Sequence, residues 1–215
     1  MTTLAVMKQR IADELARSDL TAMIAYAISD AINVYQSRRF FFNESLDIQF
    51  DTAADQEWYD RYDNAAIPNL MAIDYMRVAI DSTFWELCRR TPEEIQTSQV
   101  VPATGQPTSY TYFNQQIRLY PVPDDTWEVT VAAHIKVNEP ASDTEARNPW
   151  MTDAERLIRA RAKLNLARNV NASGMDPTFS PQALAIFSSE EVDAFNDLKS
   201  RTAKQVGTGK ITPYY

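Results

Sequence analysis

At 215 residues, with 45% hydrophobic and 23% charged side chains, the chain can bury a sizeable core and falls outside the disordered and fibrous classes. Its formal charge of −8, from 21 Lys and Arg against 29 Asp and Glu, speaks against wholesale phosphate binding, which depends on clustered cations. A single cysteine, Cys88, and only four glycines, at 105, 174, 207 and 209, exclude an internal disulfide framework and a phosphate-cradling glycine loop, and make a reducing compartment the expectation. Neither a secretory leader pattern nor a run of about 18 apolar residues is present, so neither secretion by that route nor a membrane partner is expected.

Helical periodicity comes first. Leu4, Met7, Ile11 and Leu15 recur at three- and four-residue steps, and the pattern stops near Ser18 and Asp19. A second helix follows with an apolar stripe of Ile24, Ala27, Ile28, Ala31, Ile32 and Tyr35, while Ser29, Asp30, Asn33, Gln36 and Ser37 gather on the other side. Together they predict a two-helix hairpin with one buried face.

From Ser45 the period changes to two: Leu46, Ile48 and Phe50 alternate with Asp47, Gln49 and Asp51. The acidic, aromatic stretch DTAADQEWYDRYDN reads as a loop. Strands are expected over residues 71–80 and 84–87, then a helical turn in TPEEI, where Thr91 can cap and Pro92 suits the first helical position. Tyr110 and Tyr112 lead to a hairpin turn at Asn114 and a return strand with Ile117 and Leu119. Pro121 and Pro123 break the run before Trp127, Val129, Val131, Ala133, Ile135 and Val137 alternate. These strands read as an antiparallel meander.

Past the polar loop NEPASDTEARNP, Thr152 and Glu155 stand in capping-box relation and mark a helix start; Ser188 and Glu191 do the same for a last helix carrying Val192, Phe195, Leu198 and Val206. The expected fold is α+β, a helical bundle from both chain ends with an inserted antiparallel β-domain, meander or sandwich-like. The expected divisions are a helical hairpin over 1–43, the β-domain over 44–150, completing helices over 151–206 and an extended tail over 207–215.

Candidate chemical sites are few. The one histidine, His134, falls on the face of Glu128, Thr130 and Lys136, has no nucleophile placed beside it, and reads as a solvated strand residue. Asp51, Asp55, Glu57, Asp60 and Asp63 lack the glycine turn and ligand spacing of a calcium loop. One Cys and one His cannot supply a structural zinc site, so no metal, cofactor or catalytic set is assigned.

The helix TDAERLIRARAKLNLARNV says more. Arg156, Arg159 and Lys163 form a basic face, whereas Arg161, Asn165 and Arg168 fall inside the apolar arc and are expected to be part-buried and paired, within the bundle or with a neighbouring subunit. At the far end, Lys210, Ile211, Thr212, Pro213, Tyr214 and Tyr215 form an apolar, aromatic tail behind two glycines. A tail kept only for solubility would be charged and poor in aromatics, so this one reads as an arm that docks on a portal or a neighbour.

Three blocks, KQRIADELARSDLTAMIAYAISDAINVYQSRRFFFNE, TGQPTSYTYFNQQIRLYPVPDD and NPWMTDAERLIRARAK, together resemble the head-to-tail adaptor (head completion, connector) proteins of tailed bacteriophages. The resemblance covers most of positions 4–170; the acidic loop over 53–66 is longer than the family's usual link, and the region after Val170 departs from it. It implies a non-enzymatic virion protein made in the host cytoplasm and placed in the neck, forming a twelve-fold ring of identical subunits beneath the portal protein. Such a ring continues the channel through which genomic DNA passes transiently and gives a platform for a tail or nozzle protein. The reading set against it is a DNA-binding accessory protein using Arg38, Arg39, Arg156, Arg159 and Lys163, and a third is a hydrolase with acids meeting in the β-domain.

Overall fold

Helix α1 (Leu4–Leu15) starts where Thr3 accepts the Val6 N–H and ends at Ala16 in the left-handed region, with φ of 52°. It buries Met7, Ile11 and Leu15, one residue per turn. Helix α2 (Thr21–Tyr35) buries the stripe its spacing predicts, Ile24, Ala27, Ile28, Ala31, Ile32 and Tyr35. Gln36, expected on the polar side, is buried, because its side-chain amide donates to the Val137 carbonyl at 2.8 Å.

The computed structural model describes residues 2–80, 83–98, 103–174 and 179–206. The fold is α+β, with helices at both ends and β-sheet between them. The chain divides into two units, residues up to Phe42 with those from Val137 onward, and Asn43–Lys136. The return to the helical unit thus comes at Val137 rather than near 150, since Val137 packs on the helical core and its carbonyl accepts from both Gln36 and the Trp150 indole.

The helical unit is completed by α4 (Pro149–Thr152), α5 (Glu155–Ser173) and α6 (Pro181–Val206). Its core joins the α1 and α2 stripes to Trp150, Leu157, Ile158, Leu166, Val170, Ala194 and Leu198. Phe40 and Phe42 meet the Trp150 ring edge-on at 6.3 and 5.1 Å, the geometry that ring quadrupoles favour.

Both predicted capping boxes in this region are replaced by other caps. The start near residue 150 is set by Asn148, whose Oδ1 accepts the Trp150 N–H at 3.1 Å with Pro149 at the first helical position. That cap serves α4, upstream of Thr152, whose hydroxyl as an N-cap would have taken the N–H of Ala154 or Glu155. Thr152 instead donates back to the Asn148 carbonyl at 3.2 Å, and α5 begins after Ala154 with no side-chain cap. Ser188 is interior to α6, which starts seven residues earlier at Pro181, where the Ser180 hydroxyl accepts the Ala183 N–H at 3.1 Å. A reciprocal box does form at α3 (Pro92–Ser98): the Thr91 N–H donates to Glu94 at 2.8 Å and the Glu94 N–H to Thr91 at 3.2 Å.

Among the described residues the β-unit holds two four-stranded sheets. One has the order β1 (Glu44–Asp51), β8 (Glu128–Ile135), β3 (Leu70–Ile80) and β4 (Thr83–Glu86), every pair antiparallel. The second has the order β2 (Trp58–Tyr59), β7 (Gln116–Tyr120), β6 (Ser109–Phe113) and β5 (Cys88–Arg89), with β5 and β6 parallel. The expected meander is therefore confined to the β6–β7 hairpin, where Asn114 and Gln115 both take positive φ, as a primed two-residue turn requires. Residues of both sheets, among them Phe50, Tyr59, Met76, Val78, Tyr110, Ile117, Leu119 and Val131, share one core. The acidic stretch expected to be a plain loop contributes β2, because Trp58 and Tyr59 pair with Arg118 and Ile117 of β7.

His134 is buried, 4% exposed, and not solvated as its row suggests. Strand β8 is central in its sheet, with Glu44 of β1 and Ala72 of β3 on either side at the level of His134. Thr130 on the same row is buried as well.

Candidate interaction site

Helix α5 is the seat of the ionic chemistry in the helical unit, and apolar residues leave it little choice: Leu157, Ile158, Leu164, Leu166 and Val170 hold it against the core, so its long cations must run along the seams to α1 and α6.

On the α6 side, Arg161 Nη1 donates to Glu191 Oε1 at 2.8 Å, and the same oxygen accepts the Tyr35 hydroxyl at 2.5 Å. Three helices meet at one carboxylate. Burial pushes the Tyr35 phenol well above its ordinary value, and its hydrogen bond to Glu191 pushes the same way. Tyr35 also stacks on Phe195, ring centroids 5.9 Å apart.

On the α1 side, Lys163 is 6% exposed and bridges two carboxylates, Glu14 Oε2 at 2.7 Å and Glu190 Oε2 at 2.6 Å, with its ammonium 5.3 Å from the Phe187 ring centre. Arg159 reaches Glu14 at 3.1 Å and Glu155 at 3.3 Å, and Glu155 also accepts from Arg10 at 3.0 Å. A surface cavity of about 410 Å³ opens here, lined by Glu14, Arg156, Arg159, Ala160, Lys163, Phe187 and Glu190.

The expected basic face is thus assembled but neutralised. Arg156, Arg159 and Lys163 do lie together, yet Glu14 and Glu190 sit among them, and a buried Lys163 held by two carboxylates is not a phosphate-facing cation. Of the second trio, Arg161 is part-buried and paired and Asn165 is part-buried, but Arg168 is exposed: beyond Leu164 the stripe turns, and Leu166, Ala167 and Val170 fill the core side in its place. Lys210, Ile211, Thr212, Pro213, Tyr214 and Tyr215 lie outside the described residues.

The partners Glu14, Glu190 and Glu191 were not singled out as site residues in the sequence. The local pattern gave no signal for the last two, since Glu190 and Glu191 follow Ser188 and Ser189 in a polar stretch of α6.

In the β-unit, Arg118 Nη2 and Glu57 Oε1 form an ion pair at 2.5 Å, with the guanidinium 5.2 Å from the Trp58 ring centre. Asp60 accepts from Gln116 at 3.0 Å and from the Tyr62 and Asp63 N–H groups at 2.6 and 3.1 Å. Burial opposes ionisation there, but these donors outweigh it and hold the Asp60 carboxyl below the usual range. The acidic stretch is a tied loop. Among the described residues no cluster of His, Cys, Asp and Glu is arranged to hold a metal ion, and no helix is long and apolar enough to cross a membrane.

Among curated proteins, none matches the chain in sequence. A family model described as SU10 adaptor protein matches residues 2–212. With nearly the whole chain inside that match, and with helices at both ends enclosing a β-unit, this protein belongs to the SU10 adaptor protein family and is a phage adaptor, a structural component.

Proposed function

We propose that the chain assembles into a ring of identical copies beneath the portal, twelve-fold as the resemblance implies, which continues the genome channel and offers a platform to the tail. The observation that carries this reading is the family match over residues 2–212. Two further features support it. Each unit has a core of its own, so each can meet a different neighbour without remodelling the other. The net charge of −8 and the internal pairing of Arg159, Arg161 and Lys163 leave few cations to hold passing DNA. In this reading residues 210–215 dock on the portal or on the next copy.

Electron microscopy of the purified chain mixed with its portal tests the proposal: a ring seated on the portal is expected, and a portal left bare at saturating protein overturns it. A gel shift in low salt addresses the DNA-binding alternative. Affinity that falls steeply with added salt would favour that alternative over the adaptor ring.

A further inference from the structure

The sheet β1-β8-β3-β4 ends in two open edges of different character. At one edge, β4 is exposed along its whole length, with Phe84 52% and Trp85 57% accessible on a strand of four residues. Behind it on β3 stands Arg77, which makes no ion pair among the described residues even though Glu86 lies directly across from it. Its guanidinium stacks over Phe84 at 4.1 Å instead, and its Nε is buried with no hydrogen-bond partner. The edge strand itself carries one charge, the exposed Glu86, so this edge is aromatic and not cationic.

The opposite edge is acidic. On β1, Leu46 is 69% exposed, and Asp47 and Asp51 are exposed, with Glu128 of β8 across from Asp51. None of these three carboxylates makes an ion pair among the described residues. A register shift between Ser45 and Ile48 leaves residues 48–51 as the regular stretch of β1, the same length as β4.

We infer that β4 of one copy pairs antiparallel with β1 of the next copy, so that this sheet runs on from subunit to subunit. This rests on the ring proposed above and names its seam. Strand direction supports it: three successive antiparallel pairings make β1 and β4 run in opposite senses, so a head-to-tail repeat brings them together antiparallel. An odd number of strands would have made that seam parallel. Charge disfavours the pairing of two β1 edges, because Asp47 and Asp51 of each would meet those of the other.

Leu46→Cys and Phe84→Cys, made in separate chains in a Cys88→Ser background because Cys88 is exposed, provide the test. Both positions are exposed, so the variants should fold. Mixed and treated with a short bis-maleimide, the two chains should cross-link at least tenfold more than either alone, and a chain bearing both cysteines should give a ladder. Cross-linking of the Phe84→Cys chain to itself at equal yield would mean that like edges meet, and would overturn the inference, as would the absence of the mixed product. Rings seen without that product sink the seam and leave the ring standing. The mixed product without rings on the portal does the reverse. As a second measurement, Trp85→Lys, at an exposed position of β4, should lower self-association at least tenfold at an unchanged unfolding midpoint; an unaltered association would overturn the inference.

Discussion

Tyr35 and Arg161, from two different helices, converge on a single oxygen, Glu191 Oε1, at 2.5 and 2.8 Å. The Glu191 side chain is only 14% exposed, so losing the guanidinium leaves a largely buried carboxylate without its counter-charge. Arg161→Ala should therefore destabilise the fold by about 2 kcal/mol, the scale of a hydrogen bond to a charged group. Arg159→Ala should cost less than about 1 kcal/mol, since Glu14 keeps Lys163 and Glu155 keeps Arg10. Chemical denaturation of the two variants decides the order, and equal midpoints would contradict it.

The same hub carries a pH dependence. The folded state holds the Tyr35 phenol protonated above its ordinary value of about 10, whereas the unfolded chain releases that proton near 10. The stabilisation is whole below pH 10 and is lost as pH rises beyond it. Tyr35→Phe should be less stable at neutral pH by about 1 kcal/mol, from the lost hydrogen bond, and should decline less steeply above pH 10. Tyr59, Tyr110 and Tyr112, whose phenols burial also raises, keep their share of the decline. Unfolding midpoints between pH 8 and about 11 measure both effects.

Two neighbouring substitutions separate the cap that forms from the one that does not. Asn148 is buried, takes the Trp150 N–H, and donates to Asn138 and Glu145 at 3.2 Å each, so Asn148→Ala should cost about 2 kcal/mol. Thr152→Ala should stay within about 0.5 kcal/mol, because its hydroxyl only bonds back to the Asn148 carbonyl and to Asp153. Thermal unfolding of both, side by side, gives the answer.

Deleting residues 208–215 tests the docking arm by itself. The free protein should keep its unfolding free energy within about 1 kcal/mol, while portal binding or ring formation should weaken at least tenfold, or about 1.4 kcal/mol. Unaltered assembly would remove the arm from the proposal, and a collapsed midpoint would make it part of the core.

Local periodicity carried much of the fold: all six apolar positions of α2 and the β6–β7 hairpin were legible because each depends on neighbours a few residues away. What escaped was set by distant parts of the chain. His134 and Thr130 alternate with an apolar row as surface residues do, and nothing within β8 tells that it lies between β1 and β3. Ser188 and Glu191 have the spacing of a cap, but the spacing of a cap and of one turn of helix interior is the same, and Pro181 upstream had the stronger claim to the start. At the site, the helical wheel placed Arg161 on the buried side of α5, yet it could not supply Glu14, Glu190 or Glu191, which reach α5 from helices far away in sequence. Lys163 was read as part of a bare cationic face for that reason.

The inserted unit leaves and rejoins the helical chain at adjacent points: the Ile135 N–H donates to the Asn43 carbonyl at 2.8 Å, and Glu44 lies opposite His134. A segment whose two ends already touch can be spliced out, or swapped for another of any length, without re-threading the rest, because the gap to be closed is one strand spacing wide. The β-unit is in that sense a cassette, exchangeable at these two points while the helical unit, with a core of its own, keeps its packing.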